Sequence, residues 1–168
     1  MTMINIGGSN AASSLTNVQE KDVQPNAVDL RVDKILKILG SDFTIDEDQK
    51  VHRGSEELKP DKDGYFHLEP GAYEVLMENI ITIGHGEAGW VIPRSTLNRN
   101  GVFLTSGLYD SGYKGVMASV MHVTTGTMHI AKGTRIGQYL NFQAETLSMY
   151  DGDYGIGKEF DKKNYEGK

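Results

Sequence analysis

From residue 65 onward the chain is a succession of short apolar runs: YFHLEPG, AYEVLMENIITIG, AGWVIP, GVFLTSGLY, GVMASVMHV, TMHIAKG and RIGQYLNF. Glycine punctuates nearly every junction, and strong helical periodicity is missing. Short strands closed by glycine-rich turns predict an all-β fold, a distorted jelly roll, sandwich or barrel of antiparallel strands with one or two short helices. Upstream, Val28, Leu30 and Val32 alternate with Asp29 and Arg31, which favours a strand, whereas the following DKILKILG satisfies a strand or a helix equally. Residues 41–65 are charge-rich and end in KPDKDGYF, the turn chemistry of a surface excursion.

These patterns divide the chain into three parts. Residues 1–25 form a polar arm with a short helix possible in SSLTNVQEKDV, residues 26–148 form the β domain, and residues 149–168 form a mobile tail able to act as a lid.

Composition narrows the function classes. A chain of 168 residues suits one domain with its own core. At 38% apolar and 24% charged residues it matches a soluble globular protein. No apolar run reaches the roughly 18 residues of a membrane helix. The start of the chain lacks the basic residues of a secretory signal, and cysteine is absent, so a reducing, cytoplasmic setting is expected. A net charge of −6 argues against a broad nucleic-acid surface but leaves room for a small anion held by local donors.

Two segments offer such chemistry. In PRSTLNRNG, Ser95 is a favoured N-cap and Asn100-Gly101 a plausible stop, so a single helical turn would hold Arg94, Ser95, Thr96 and Arg99 together. Their donors suit phosphate oxygens; simple capping with solvated arginines is the alternative. In LYDSGYKG, a β-turn from Asp110 to Tyr113 would bring its ends within about 7 Å. A carboxylate able to deprotonate water and a ring able to pack on a base or sugar would then be neighbours. An ordinary Asp-Ser-Gly hairpin turn is the competing reading. His52, His67, His122 and His129 lack ligand spacing with acidic neighbours, which favours structural or surface roles.

The order AVDLR, PRSTLNRNG, GLYDSGYKG, GTRIGQ resembles the ordered motifs of trimeric dUTPases and their relatives the dCTP deaminases, over about residues 27–158. FHLEPGAYEVLMENI and RSTLNRNG are closer to the deaminase branch, PRS and DSGY to the dUTPase branch. The resemblance implies hydrolysis of a pyrimidine deoxynucleoside triphosphate, dUTP above all, by a Mg²⁺-assisted homotrimer whose sites lie between subunits. It matches Asp110 to the water-activating base and Tyr113 to the tyrosine beneath the deoxyribose. Arg94, Ser95 and Arg99 match phosphate contacts, with Thr96 and Leu108 in the same two motifs, and Gln138 matches a glutamine near the phosphates. Asp29 matches an aspartate holding hydrated Mg²⁺, and Tyr154 and Lys158 supply an aromatic and a cation in the tail, where the arginine of dUTPase lids is absent. Regular strand alternation puts Arg135 on the face opposite Gln138, in a structural role or a subunit contact.

The branches differ at one position. The deaminases need a glutamate on the strand after the turn, where this chain has Val120, and no Asp or Glu occurs from Lys114 to Ala144. An aliphatic side chain cannot shuttle protons, so hydrolysis is favoured over deamination or a bifunctional enzyme. His85-Gly86-Glu87 imitates half of a zinc-deaminase motif, but that site needs cysteinates. A non-catalytic nucleotide-binding regulatory module on the same scaffold is the alternative of another class.

Overall fold

The computed structural model describes residues 1–165; positions 166–168 of the expected tail lie outside them. Along the chain run β1 (Met3–Ile4), β2 (Ser14–Leu15), β3 (Val28–Ile38), β4 (Thr44–Ile45), β5 (Lys50–Val51), β6 (Ser55–Glu57) and β7 (Tyr65–Leu68). There follow β8 (Gly71–Thr82), β9 (Glu87–Pro93), α1 (Ser95–Arg99), β10 (Val102–Thr105), β11 (Lys114–Val123), β12 (Met128–Ala131), β13 (Arg135–Gln143) and α2 (Glu159–Asn164). The all-β expectation with two short helices is met.

The strands hold because their alternation fits a pleated sheet. In β11, Gly115, Met117, Ser119, Met121 and Val123 point inward while Lys114, Val120 and His122 stay exposed; in β10, Val102 and Leu104 point inward and Phe103 outward. The main sheet curls through the order β1, β13, β3, β8, β11, β10, with β9 added on β13, and a separate ribbon pairs β7 with β12. Val28, Leu30, Val75, Met117, Met121 and Ile136 close the core, each fully buried side chain of this kind stabilising by about 1.5–3 kcal/mol. Among the described residues no helix is long and apolar enough to cross a membrane.

The DKILKI ambiguity resolves as strand, because β3 continues along β8 with Ile35 opposite Val75. The register shifts between Val32 and Lys34, and that bulge at Asp33 breaks the alternation that would have marked a strand in sequence.

The arm is docked rather than loose, and its only helical piece is a 3₁₀ turn at Glu20–Asp22. β1 pairs with β13 and β2 with β8. Asp22 is buried and paired with Arg31, whose Nη1 also donates to the Gly133 carbonyl at 2.8 Å. A polar sequence can be interior when its groups are satisfied. Glu87 at the head of β9 is the strongest case. Its carboxylate accepts the Ala12 amide (2.8 Å), the Ser13 amide (3.0 Å) and hydroxyl (2.5 Å), and the Asn141 side-chain amide (2.7 Å).

Candidate active site

Asp110 stands exposed at the corner of a turn that is fixed on several sides. The Tyr113 amide donates to the Asp110 carbonyl at 3.0 Å, closing the expected β-turn. Gly112 has φ +88°, the left-handed value required at the third position of a type II turn. The turn is fastened to the segment before β9, with Gly112 N–H donating to Ile83 O and Ile83 N–H to Tyr113 O. Ser111 Oγ donates to the Glu87 carbonyl at 2.6 Å, and Tyr109 bridges Gly89 through both backbone groups. The Asp110 carboxylate is thus held in place through its backbone while facing solvent.

Tyr113 is buried beside this corner, its ring centroid 5.3 Å from those of Tyr109 and Tyr150. Burial pushes the ionisation of its phenol well up, so the ring stays neutral. Gly115 is required below it, since a Cβ there would meet the Tyr113 hydroxyl at 2.4 Å. A cavity of about 490 Å³ opens here, with Leu108, Tyr109, Tyr113, Ala118, Tyr150 and Tyr154 in its walls. Tyr109 reaches across it, donating to Ala118 O at 2.9 Å and accepting from Ala118 N at 3.2 Å, where β11 and β8 fall out of register.

Two of the other expected residues, Arg94 and Gln138, gather around Asp29. Its carboxylate, fully buried, meets Arg94 Nε at 3.2 Å, Arg135 Nη1 at 3.2 Å and Gln138 Nε2 at 3.0 Å. The expected separation of Arg135 from Gln138 does not hold. Arg135 pairs with Arg31 but Gly137 with Leu30, so Ile136 is an extra residue, and this bulge turns both side chains to one face. The Arg94 amide donates to the carbonyl of that same Ile136 at 3.0 Å. α1 forms as expected, anchored by buried Leu97, but Arg94 is its N-cap and Ser95 the first helical residue, without a side-chain cap. One turn develops little macrodipole; anion reception here rests on side chains, and Ser95, Thr96 and Arg99 are exposed.

The Asp29 carboxylate organises Arg94 and Arg135 on one oxygen and Gln138 on the other. Among the described residues no group of three His, Cys, Asp or Glu converges as a metal site.

The tail also differs from the mobile segment expected. Its described part folds back on the β domain: Tyr150 N–H donates to Ser111 O, Ile156 N–H to Lys114 O, and Tyr165 OH to Glu74. Asp161 is buried and accepts the Gly155 amide at 2.9 Å. Tyr154 packs edge-on to Phe160 at 5.0 Å, and Lys158 pairs with Asp151 at 3.5 Å. Aromatic residues spaced among glycines gave no periodic signal, yet they cover the cavity.

Within one chain the expected residues therefore form two groups. Leu108, Asp110, Tyr113 and Tyr154 cluster at one end of β9, where Gly89 meets Tyr109; Arg94, Gln138 and Asp29 cluster beyond its other end. About 16 Å of extended chain separates Gly89 from Arg94. Sequence reading set Arg135 apart from the site and missed the Glu87 network, and Tyr109 and Tyr165 in the cavity wall; the first was hidden by the bulge, the others by the absence of local signal.

Comparison with known proteins follows the same lines. The model of the dCTP deaminase-like family matches residues 9–144. The deoxyuridine 5′-triphosphate nucleotidohydrolase of Methanocaldococcus jannaschii is 33% identical over 153 residues, covering 89% of this chain and 97% of its own. The probable deoxyuridine 5′-triphosphate nucleotidohydrolase of Methanothermobacter thermautotrophicus is 36% identical over 137 residues, 80% of this chain and 89% of its own. Among solved structures, the 2′-deoxycytidine 5′-triphosphate deaminase of Agrobacterium tumefaciens superposes with a TM-score of 0.57 at 16% identity, covering 77% of this chain and 43% of that one. The dUTPase from phage phi11 of S. aureus gives 0.52 at 12% identity, over 86% and 98%. The latter two establish likeness of fold; the family match and the archaeal identities establish descent, and the chain belongs to the dCTP deaminase-like family within the dUTPase and dCTP-deaminase superfamily.

Proposed function

We propose that the protein is a dUTP diphosphatase, releasing pyrophosphate and dUMP from dUTP. The observation that carries this reading is the anchored Asp110–Tyr113 turn, with a solvent-facing carboxylate beside a tyrosine-floored cavity. The base and deoxyribose occupy that cavity against Tyr113 and Leu108, and the close tyrosine leaves little room for a 2′-hydroxyl. Asp110 accepts a proton from a water molecule as its oxygen bonds to the α-phosphorus. The bond from that phosphorus to the bridging oxygen breaks, and pyrophosphate leaves. Arg94, Arg99, Ser95, Thr96 and Gln138 receive the phosphate oxygens, with Lys158 and Tyr154 closing from the tail. Most of the rate then comes from positioning and from donors aimed at developing charge. The Mg²⁺ that the family resemblance implies finds no site of its own among the described side chains, so it would be carried by the triphosphate.

The relatives' names support the dUTP assignment, and so does Val120. That side chain is directly opposite Glu74 on β8, and the Glu74 carboxylate is engaged by Tyr165. No carboxylate is presented where a deaminase needs one on β11. A panel of deoxynucleoside triphosphates, assayed separately for pyrophosphate and ammonia with and without Mg²⁺, tests this. The expected result is pyrophosphate from dUTP and no ammonia from dCTP; ammonia from dCTP would reverse the reading, and no turnover of any nucleotide would favour a binding module.

The two groups at opposite ends of β9 support a homotrimer in which Arg94 and Gln138 of one subunit serve the Asp110 turn of its neighbour. Arg94→Ala and Asp110→Asn, each inactive alone, are then expected to regain activity when unfolded and refolded together. Failure to regain it in mixed oligomers would place both residues in a site within one subunit.

A further inference from the structure

The β7–β12 ribbon pairs His67 directly with His129, which sequence spacing did not suggest because 62 positions separate them. Their Nδ1 atoms are 2.6 Å apart, with the rings edge to face and centroids 4.9 Å apart. Two imidazole lone pairs cannot face each other at that distance, so one proton lies between them. On its other side His67 Nε2 is 2.7 Å from Asp61 Oδ2. The carboxylate accepts a proton there, which assigns the N–H to Nε2 and leaves the His67 lone pair on Nδ1, aimed at His129.

Asp61 is itself fixed, its Oδ1 accepting the amides of Asp63 and Tyr65 at 2.9 Å each. A carboxylate that orients an imidazole by one nitrogen while the other points at a shared position is the arrangement proteins use around transition metals.

We infer that His67 and His129 chelate a divalent transition ion of the Zn²⁺, Ni²⁺ or Cu²⁺ class through their two Nδ1 atoms. The ion forms two metal–nitrogen bonds, and the proton that lay between the Nδ1 atoms passes by way of solvent to Nε2 of His129, so both rings bind as neutral imidazoles. Metal–nitrogen bonds of about 2.0–2.1 Å require nitrogens roughly 3 Å apart, so the rings need to part by well under 1 Å. Both histidines are exposed, the His67 side chain by 51%. Water completes the coordination sphere, which makes the ion exchangeable. Imidazole pairs suit these metals and not Mg²⁺, which prefers oxygen. The site is therefore independent of the triphosphate chemistry at Asp110.

Calorimetric titration of untagged protein with Zn²⁺ and Ni²⁺ at neutral pH tests the inference; Cu²⁺ is followed by its nitrogen hyperfine signature. Expected are one ion per chain and two equivalent nitrogens on Cu²⁺. His67→Ala and His129→Ala should each abolish binding, Asp61→Asn should weaken it about 10–100-fold, and His52→Ala and His122→Ala should leave it unchanged. Wild-type protein that takes up none of the three ions, or binding that survives His129→Ala, overturns the site. Unchanged affinity in Asp61→Asn overturns the role given to the carboxylate.

Discussion

Asp110→Asn is expected to lower pyrophosphate release from dUTP about a thousandfold, the usual worth of a positioned general base, while nucleotide affinity stays within a few-fold of wild type. The amide has the same shape but cannot take the proton of the attacking water. The turn should survive, because its closing bond uses the Asp110 carbonyl and its fastenings come from Ser111, Gly112 and Tyr113. Rapid-quench turnover of dUTP, with affinity measured separately for a non-hydrolysable analogue, reads both quantities. A variant that binds normally and turns over near the native rate would remove Asp110 from the chemistry.

Glu87→Ala is expected to cost at least about 3 kcal/mol, because it leaves the Ala12 and Ser13 amides, the Ser13 hydroxyl and the Asn141 amide without their buried acceptor. For a chain of this size that lowers Tm by roughly 10 °C. Glu87→Gln should cost less, since one carbonyl oxygen remains to accept. The network also predicts a pH dependence. Burial opposes ionisation of Glu87, but hydrogen bonds from Ser13, Asn141 and the two backbone amides outweigh it and hold the carboxyl below an ordinary glutamate's 4.5. The folded state therefore binds this proton less readily than the unfolded chain. Its stabilisation is complete above about pH 4.5 and fades as pH falls toward the lower folded value. Calorimetric scans from neutral to acid pH should show the wild type and Glu87→Ala converging below pH 4.5; parallel curves would assign the acid sensitivity to other carboxylates.

Much of the fold was legible because buried strands must alternate, and β10 and β11 do so almost without exception. The site was legible in pieces, since the Asp110 turn is written locally in Asp-Ser-Gly-Tyr and α1 in Ser-Thr-Leu-Asn-Arg. Two kinds of information were not. Bulges at Asp33 and Ile136 displace side chains from the face that counting assigns them, so β3 looked ambiguous and Arg135 was set apart from Gln138. Polar pairing between separate segments also leaves no local trace, as with Asp22 and Arg31, Glu87 and the arm, and His67 and His129. Asp29 illustrates the difference, since its motif position suggested a metal and its surroundings supply two arginines and a glutamine.

The extra residue at Ile136 has a consequence for engineering. Three steps along the chain from Arg135 to Gln138 count as an even number in the sheet, so the pair behaves as a two-pronged fork whose spread is set by chain length. Deleting Ile136 would straighten the strand yet leave two steps between the prongs, so both stay on one face while their spread changes, at the cost of one buried core side chain; anion capture could thus be retuned by indel as well as by substitution.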